Sequence, residues 1–174
     1  RIAQKGCALV IGAKEQATLA HVPKEAKEAG IKVVSYDRLI KSPDVDVYIS
    51  FDNYRVGQMQ GAALMKALPK GSIYVMSGDP GDNNAKLFKA GALSEIDPFV
   101  KKGDIKILGE QAVKDWLPAN ALSIAENVLT QFNNKIDGFL GPNDGTAGGI
   151  IQALAGQKLA GKVPVTGQDA ELAA

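Results

Sequence analysis

Hydrophobic and polar positions along the chain form short apolar runs separated by longer amphipathic stretches. Each short run is rich in β-branched or aromatic residues and ends near Gly, Asp, Asn or Ser, the pattern of a buried strand. Seven runs are predicted to be strands: Cys7–Ile11, Lys32–Tyr36, Val47–Phe51, Ile73–Ser77, Ile105–Leu108, Ile136–Leu140 and Val163–Thr166. Strands that alternate with helices predict an α/β fold with parallel sheets covered on both faces.

Three amphipathic stretches predict helices, because their apolar residues recur at helical spacing. Their core-facing residues are Val56, Met59, Ala63 and Met65 in the first, Ala121, Ile124, Ala125, Val128 and Leu129 in the second, and Ala147, Ile150, Ile151 and Leu154 in the third. The interval from Tyr36 to Val47 is too short for a crossover helix. Such an interval indicates a change of topology, where a chain can pass between domains.

Composition narrows the classes of function. The 174 residues are 45% hydrophobic and 22% charged, with a formal net charge of +1, which is typical of a globular protein and gives no sign of a nucleic-acid or membrane-surface partner. No apolar run approaches the roughly 20 residues of a membrane span. The single cysteine, Cys7, cannot form a disulfide within the chain and is predicted to be buried, while the single histidine, His21, is predicted to lie at the surface.

Polar residues follow the predicted strands, where ligands bind in open α/β sheets. The loops contain Asp37-Arg38, Gly78–Asn84, Asp115-Trp116, Asn143-Asp144 and Gln168-Asp169. Carboxylates accept hydrogen bonds from sugar hydroxyls, arginine donates them and asparagine does both, while the only tryptophan, Trp116, suits the apolar face of a sugar ring. Asp and Asn after strands are also common turn formers and helix caps, so each loop taken alone has a purely structural reading.

Enzyme motifs are missing from the sequence. It contains no Gly-x-Gly-x-x-Gly, no Walker loop and no Gly-x-Ser-x-Gly. A glycosidase needs a pair of carboxylates, but Asp82 and Asp169 each lie beside amides or caps, and neither is marked as a raised-pKa acid. We therefore predict a binding protein that is not an enzyme and has no cofactor and no metal.

Several of these segments together resemble a known family. They are Tyr36-Asp37-Arg38, Ile49–Asn53, Asp82–Phe88, Trp116-Leu117-Pro118, Asn143–Gly149 and Gly167–Ala170. The combination resembles the D-xylose-binding proteins of bacterial ABC importers, a branch of the type I periplasmic sugar-binding proteins. The resemblance runs from end to end of the chain.

The resemblance implies a fold of two Rossmann-like lobes with parallel sheets, of which this chain looks like an incomplete portion. Residues 1–51 would be the trailing part of the first, N-terminal lobe, and residues 52–174 most of the second, C-terminal lobe. The chain lacks the first strand region of the family and the last crossings between lobes. The family's helix around Pro23 is expected to start late, near Val22, and Arg1–Gly6 is expected to be the end of a preceding helix.

The resemblance also implies the ligand-binding residues. Arg38 would donate to sugar hydroxyls from the first lobe, with Asp37 beside it, and Trp116 would stack on the sugar. The remaining hydrogen-bonding partners, all from the second lobe, would be Asp82, Asn84, Asn143 and Asp169.

The function implied is the solute-binding component of an ABC transporter, which holds a monosaccharide, D-xylose foremost, between two lobes that close about a hinge. It would deliver that sugar to the permease subunits from the periplasm or the cell exterior, with lipid anchoring to the cell surface as one option. The alternative is a sugar-binding effector or sensor domain of a transcriptional repressor or of a sensor kinase system, which shares the fold.

Overall fold

The computed structural model describes residues 6–14 and 17–172. Most of the helix end expected at Arg1–Gly6 lies outside these residues. The chain divides into two compact units, one formed by the described residues up to Asp52 together with Gly81–Asn84, the other by Asn53–Pro80 and the described residues from Ala85 onward. The lobe boundary after Phe51 stays a prediction.

The first unit contains a three-stranded parallel sheet in the order β1-β2-β3 and one helix among its described residues. Its elements are β1 (Ala8–Ile11), α1 (Val22–Glu28), β2 (Lys32–Tyr36) and β3 (Val47–Ile49). Helix α1 starts at Val22, as expected, because Pro23 suits a first turn. His21 precedes the helix at the N-cap position, where its side chain makes no cap hydrogen bond and is exposed, which confirms its predicted surface location.

The connection between β2 and β3 is held by one buried hydroxyl. Ser35 Oγ donates to the carbonyl of Arg38 at 2.7 Å and accepts from the amide of Ile40 at 3.0 Å. Ile40 is 1% exposed, so its side chain anchors the turn in the core. The described connection contains no helix, as predicted, but it joins neighbouring strands of one sheet and does not lead out of the unit.

Within the described residues, the first sheet is covered on one face, whereas coverage on both faces was predicted. Val33 packs with Ala26 of α1, and Leu9 and Ile11 lie against the same cluster. Val10 points to the opposite face and is 67% exposed. The apolar runs of β1 and β3 therefore resemble those of buried strands, although no described helix covers that second face.

The second unit contains a parallel sheet in the order β5-β4-β6. Its elements are α2 (Asn53–Ala67), β4 (Gly71–Ser77), α3 (Asn83–Lys102, whose first two residues group with the first unit), β5 (Ile105–Ala112), a 3₁₀ turn at Lys114–Trp116, α4 (Pro118–Gln131), β6 (Gly138–Leu140) and α5 (Asp144–Gly156). Helices α4 and α5 contribute to a core with Met76 and Phe139, and α2 and α3 contribute to another with Ile73 and Val75. This sheet is covered on both faces, as predicted.

Helices α2 and α3 approach each other backbone to backbone. A Cβ atom on Gly57 would lie 2.1 Å from the carbonyl oxygen of Phe88, and one on Gly61 would lie 2.5 Å from that of Ala92. A Cβ on Gly91 of α3 would lie 2.0 Å from the carbonyl oxygen of Tyr54. These three positions have no room for any side chain, so glycine permits the contact.

That glycine contact explains an error in the predicted core face of α2. The buried residues include Gly57, Gln60 and Gly61, whereas Met59 is 63% exposed. Val56, Met59 and Ala63 instead line an open groove of about 460 Å³ with residues 164–168. A hydrophobicity pattern cannot show this, because it scores glycine and glutamine as poor core residues.

Three further predictions are wrong in detail. Val163–Thr166 is not a strand: only Val165 forms a single parallel bridge, to Phe139, because the neighbouring positions do not continue the ladder. Cys7 is exposed, since β1 begins after it. Ile151 of α5 is 45% exposed, on the side of the helix that faces away from the core.

Among the described residues, no helix has the length and apolar character needed to cross a membrane.

Candidate ligand-binding site

An ion pair links two of the predicted site residues. The Nε of Arg38 lies 3.1 Å from Oδ2 of Asp82 and 3.8 Å from Oδ2 of Asp37. The side chain of Asp82 is 2% exposed and that of Arg38 is 32% exposed. A nearly buried carboxylate is costly unless it is paired, so this guanidinium offsets the desolvation of Asp82 and leaves Arg38 part of its surface for a ligand.

Asn84 joins the same network through its backbone and its side chain. Its backbone amide donates to Oδ1 of Asp82 at 2.9 Å, so both oxygens of that carboxylate are used. Its side-chain Nδ2 donates to the carbonyl of Asp37 at 3.2 Å and to Oδ1 of Asp37 at 3.4 Å. The structure therefore brings Asp37, Arg38, Asp82 and Asn84 together in the first compact unit.

The other three predicted residues lie at one edge of the second sheet. Strands β5, β4 and β6 are parallel, so their carboxyl ends share an edge. Trp116 follows β5 and Asn143 follows β6. Asp169 lies in the segment that leaves the Val165–Phe139 bridge toward the same edge. Whether these residues adjoin the Arg38 network stays a prediction.

Trp116 is held in an uncommon conformation by the end of β4. It closes the 3₁₀ turn Lys114–Trp116, in which Asp115 and Trp116 have φ angles of 59° and 58°, the left-handed region. The benzo edge of the ring lies directly against Gly78, because a Cβ there would be 2.0 Å from its Cη2 atom. The amide of Asp115 donates to Oδ2 of Asp79 at 2.6 Å. Sequence reasoning noted Gly78 and Asp79 only as loop residues.

Asn143 is the N-cap of α5. Its Oδ1 accepts from the amide of Thr146 at 3.0 Å, and its backbone is extended, as a cap requires. The side-chain carbonyl oxygen of Asn143 therefore has a structural role, as the cap of the helix. A ligand-binding role would fall on its amide group, which the cap leaves unused.

Asp169 is exposed and lies in a segment fixed by two contacts. Thr166 Oγ1 donates to the carbonyl of Gly141 at 2.8 Å and accepts from its amide at 2.9 Å. The amide of Asp144 donates to the carbonyl of Gln168 at 2.8 Å. Asp169 has a φ angle of 99°, and its Oδ1 accepts from Nε2 of Gln168 at 3.0 Å. The carboxylate is thus presented at the sheet edge by a well-anchored backbone.

The buried Gln60 of α2 makes a hydrogen bond to the loop that follows β6. Its Nε2 donates to the carbonyl of Pro142 at 2.9 Å, just before the cap residue Asn143. Sequence reasoning missed Gln60, although a glutamine on the inner side of a helix is a usable signal of a buried hydrogen bond. Within the described part of the chain, no group of three or more His, Cys, Asp or Glu side chains is arranged to hold a metal ion.

Comparison with known proteins gives close relatives. The D-xylose-binding periplasmic protein of Escherichia coli (strain K12) is 56% identical over 155 residues, which is 89% of this chain and 47% of that protein. The protein of the same name from Haemophilus influenzae is 49% identical over 166 residues, or 95% of this chain and 50% of that protein. The chain spans about half the length of the curated relatives it matches.

Solved structures agree with the architecture. An ABC transporter solute binding protein from Clostridium phytofermentans, with bound beta-D-glucose, superposes with a TM-score of 0.89 at 34% identity, covering 99% of this chain and 58% of that chain. One from Actinobacillus succinogenes, with bound D-allose, gives a TM-score of 0.86 at 30% identity, covering 97% of this chain and 61% of that chain.

Residues 2–174 match the family described as periplasmic binding protein domain. The match takes in almost the whole chain, and it agrees with the parallel α/β architecture of both units and with the relatives named above. The chain belongs to the periplasmic binding protein domain family.

Proposed function

We propose that the full-length protein is the solute-binding component of an ABC transporter and binds a monosaccharide, D-xylose in preference to hexoses. The observation that carries this proposal is the network of Arg38, Asp37, Asp82 and Asn84, which holds a partly exposed guanidinium beside carboxylate and amide groups. Such a set can donate to and accept from sugar hydroxyls. The name of the E. coli relative, at 56% identity, supports xylose as the sugar.

Asn143, Asp169 and Trp116 would complete the site. The amide of Asn143 and the carboxylate of Asp169 would serve further hydroxyls, and the ring of Trp116 would pack on the apolar face of the sugar. The sugar is expected to contact both predicted lobes and to stabilise a closed state by its differential contacts, which stays a prediction from the resemblance.

The protein would bind its sugar without changing it and would act in the periplasm, passing the sugar to permease subunits. The relatives are periplasmic and transport proteins by name, which favours this role over a repressor or kinase sensor domain.

Titration calorimetry of the full-length protein with xylose, glucose, ribose and arabinose tests the proposal. We expect the tightest binding with xylose, because Trp116 would crowd the hydroxymethyl group of glucose. An Asp82→Asn variant should lose affinity, whereas Asp104→Asn, which alters the pair of a half-buried carboxylate with the exposed Lys70, should not. Equal affinity for glucose would refute the selectivity, and the absence of binding to all four sugars would refute the sugar-binding role.

A further inference from the structure

The ring of Trp116 lies against a residue without a side chain. A Cβ atom built on Gly78 would come within 2.0, 2.2 and 2.4 Å of three atoms of the benzo edge of the indole. Real Cβ atoms do not approach carbon atoms so closely, so any other residue at 78 would displace the ring. Gly78 itself is buried, which leaves little room for its backbone to move aside.

The next residue of the same strand end fixes the backbone that carries the ring. Oδ2 of Asp79 accepts from the amide of Asp115 at 2.6 Å. A hydrogen bond to a carboxylate is about twice as strong as a neutral one. It acts where the chain has two successive left-handed residues, Asp115 and Trp116, a conformation that a tryptophan adopts only when its surroundings impose it.

The amide of Val113 donates to the carbonyl of Ser77 at 2.8 Å, which ties the start of the turn to the same strand end. Three consecutive residues after and at the end of β4 thus determine where Trp116 lies. Ser77 fixes the approach, Gly78 leaves the space, and Asp79 holds the turn.

We propose that Gly78 and Asp79 are positioning residues for Trp116. They set how far the indole ring projects into the proposed sugar site, and thereby which sugars the site admits. The part on sugars rests on the proposed function, whereas the part on the ring does not. A ring moved outward by a methyl group at 78 would leave more room beside the sugar. The discrimination between xylose and glucose would then fall.

Tryptophan fluorescence of the full-length protein, first without sugar, tests the positioning directly. This chain has one tryptophan. Subtracting the spectrum of a Trp116→Phe variant isolates the emission of Trp116 from that of any other tryptophan in the full-length protein. In Gly78→Ala we expect a shifted emission maximum and greater quenching by acrylamide, because the ring leaves its place. Asp79→Ala should show a smaller change in the same direction, and Asp79→Asn, which keeps an acceptor oxygen, should restore the wild-type spectrum.

The control is Gly148→Ala, since a Cβ there has no neighbour within 4 Å. An unchanged spectrum in both Gly78→Ala and Asp79→Ala would overturn the proposal. If Gly78→Ala does not fold, by circular dichroism, the two Asp79 variants decide the question.

Calorimetry with xylose and glucose tests the part on sugars. We expect Gly78→Ala to weaken xylose binding by about tenfold, the scale of one aromatic contact, and to reduce the ratio between the two sugars. A displaced ring with an unchanged ratio would overturn the specificity claim. If the wild-type protein binds no sugar, the proposed function fails, while the fluorescence comparison still decides the positioning.

Discussion

Arg38 Nε lies 3.1 Å from Oδ2 of Asp82, a carboxylate that is 2% exposed and also accepts the backbone amide of Asn84. Asp82 therefore has a structural task in addition to its proposed contact with sugar. It holds the guanidinium in place and fixes the start of α3.

Replacing Asp82 by alanine should lower the free energy of unfolding by about 2 kcal/mol, because it removes the nearer carboxylate of the Arg38 guanidinium and the acceptor of the Asn84 backbone amide. It should also weaken sugar binding by a similar amount. Urea unfolding and titration calorimetry of the full-length protein measure the two effects. Asp104→Ala, which breaks the pair of a half-buried carboxylate with the exposed Lys70, should change stability by less than about 1 kcal/mol. A stability equal to wild type in Asp82→Ala would contradict the structural role.

The backbone contact between α2 and α3 makes Gly61 intolerant of a methyl group. Gly61→Ala places a Cβ 2.5 Å from the carbonyl oxygen of Ala92 and should destabilise the protein by about 1–3 kcal/mol. Gly148→Ala in α5 meets nothing within 4 Å and should stabilise it by about 0.5–1 kcal/mol, the usual gain in an exposed helix. Thermal unfolding of the two variants checks the opposite signs. Stabilisation in both variants would show that helix propensity, and not the backbone contact, governs Gly61.

Asp46 should stabilise the first unit at neutral pH and lose this stabilising effect in strong acid. Its pKa lies below the ordinary 3.8, first because Oδ1 accepts from Lys32 Nζ and then because Oδ2 accepts from the amide of Val33. A lowered folded-state pKa means that the stabilisation is present above 3.8 and is lost as pH falls through the folded-state value. Urea unfolding of wild type and Asp46→Asn should therefore differ above pH 3.8 and converge in stronger acid. Asp97→Asn, at an exposed position of α3, controls for net charge, and an equal effect there would contradict the assignment.

Tyr74 should make the protein sensitive to alkaline pH. Burial raises its pKa above the ordinary 10.0, and the charge of Glu110 adds to the effect. Its contribution to stability is fully present below 10.0 and is lost as pH rises through the folded-state pKa. Ultraviolet titration of tyrosinate should show a late step that is missing in Tyr74→Phe and still present in Tyr36→Phe, which removes an exposed ring. A late step that persists in Tyr74→Phe would assign it to another group.

Core positions and element bounds were predicted best where the apolar side chains of a helix or strand themselves form its packing contact. All five core residues named for α4, from Ala121 to Leu129, are buried, and β2 has the predicted bounds. The pattern failed where small or polar residues form the contact. Gly57 and Gly61 lie in the core contact of α2, while Met59 is exposed, because backbone atoms of α3 occupy the space a larger residue would need.

Site residues were predictable by type and less so by geometry. Arg38 and Asp82 were both predicted to be site residues, because each lies in a polar loop after a predicted strand. The structure pairs them. Nothing in the sequence indicates that Gly78 receives the ring of Trp116, since that contact joins the ends of two strands 38 positions apart only after the sheet has formed. For Gln60 the sequence offers a signal of a buried hydrogen bond, a glutamine on the inner side of α2, but it does not indicate that the acceptor is the carbonyl of Pro142.

The glycine contact between α2 and α3 has a mechanical consequence. Two helices that meet through side chains can slide by small steps as rotamers change, which is how shear motions accommodate domain movement. At Gly57, Gly61 and Gly91 no side chain separates the backbones, so no rotamer is available to absorb a displacement. Helices α2 and α3 should therefore move as one stiff body, and any change of shape in the protein would be taken up by torsions in its connecting segments.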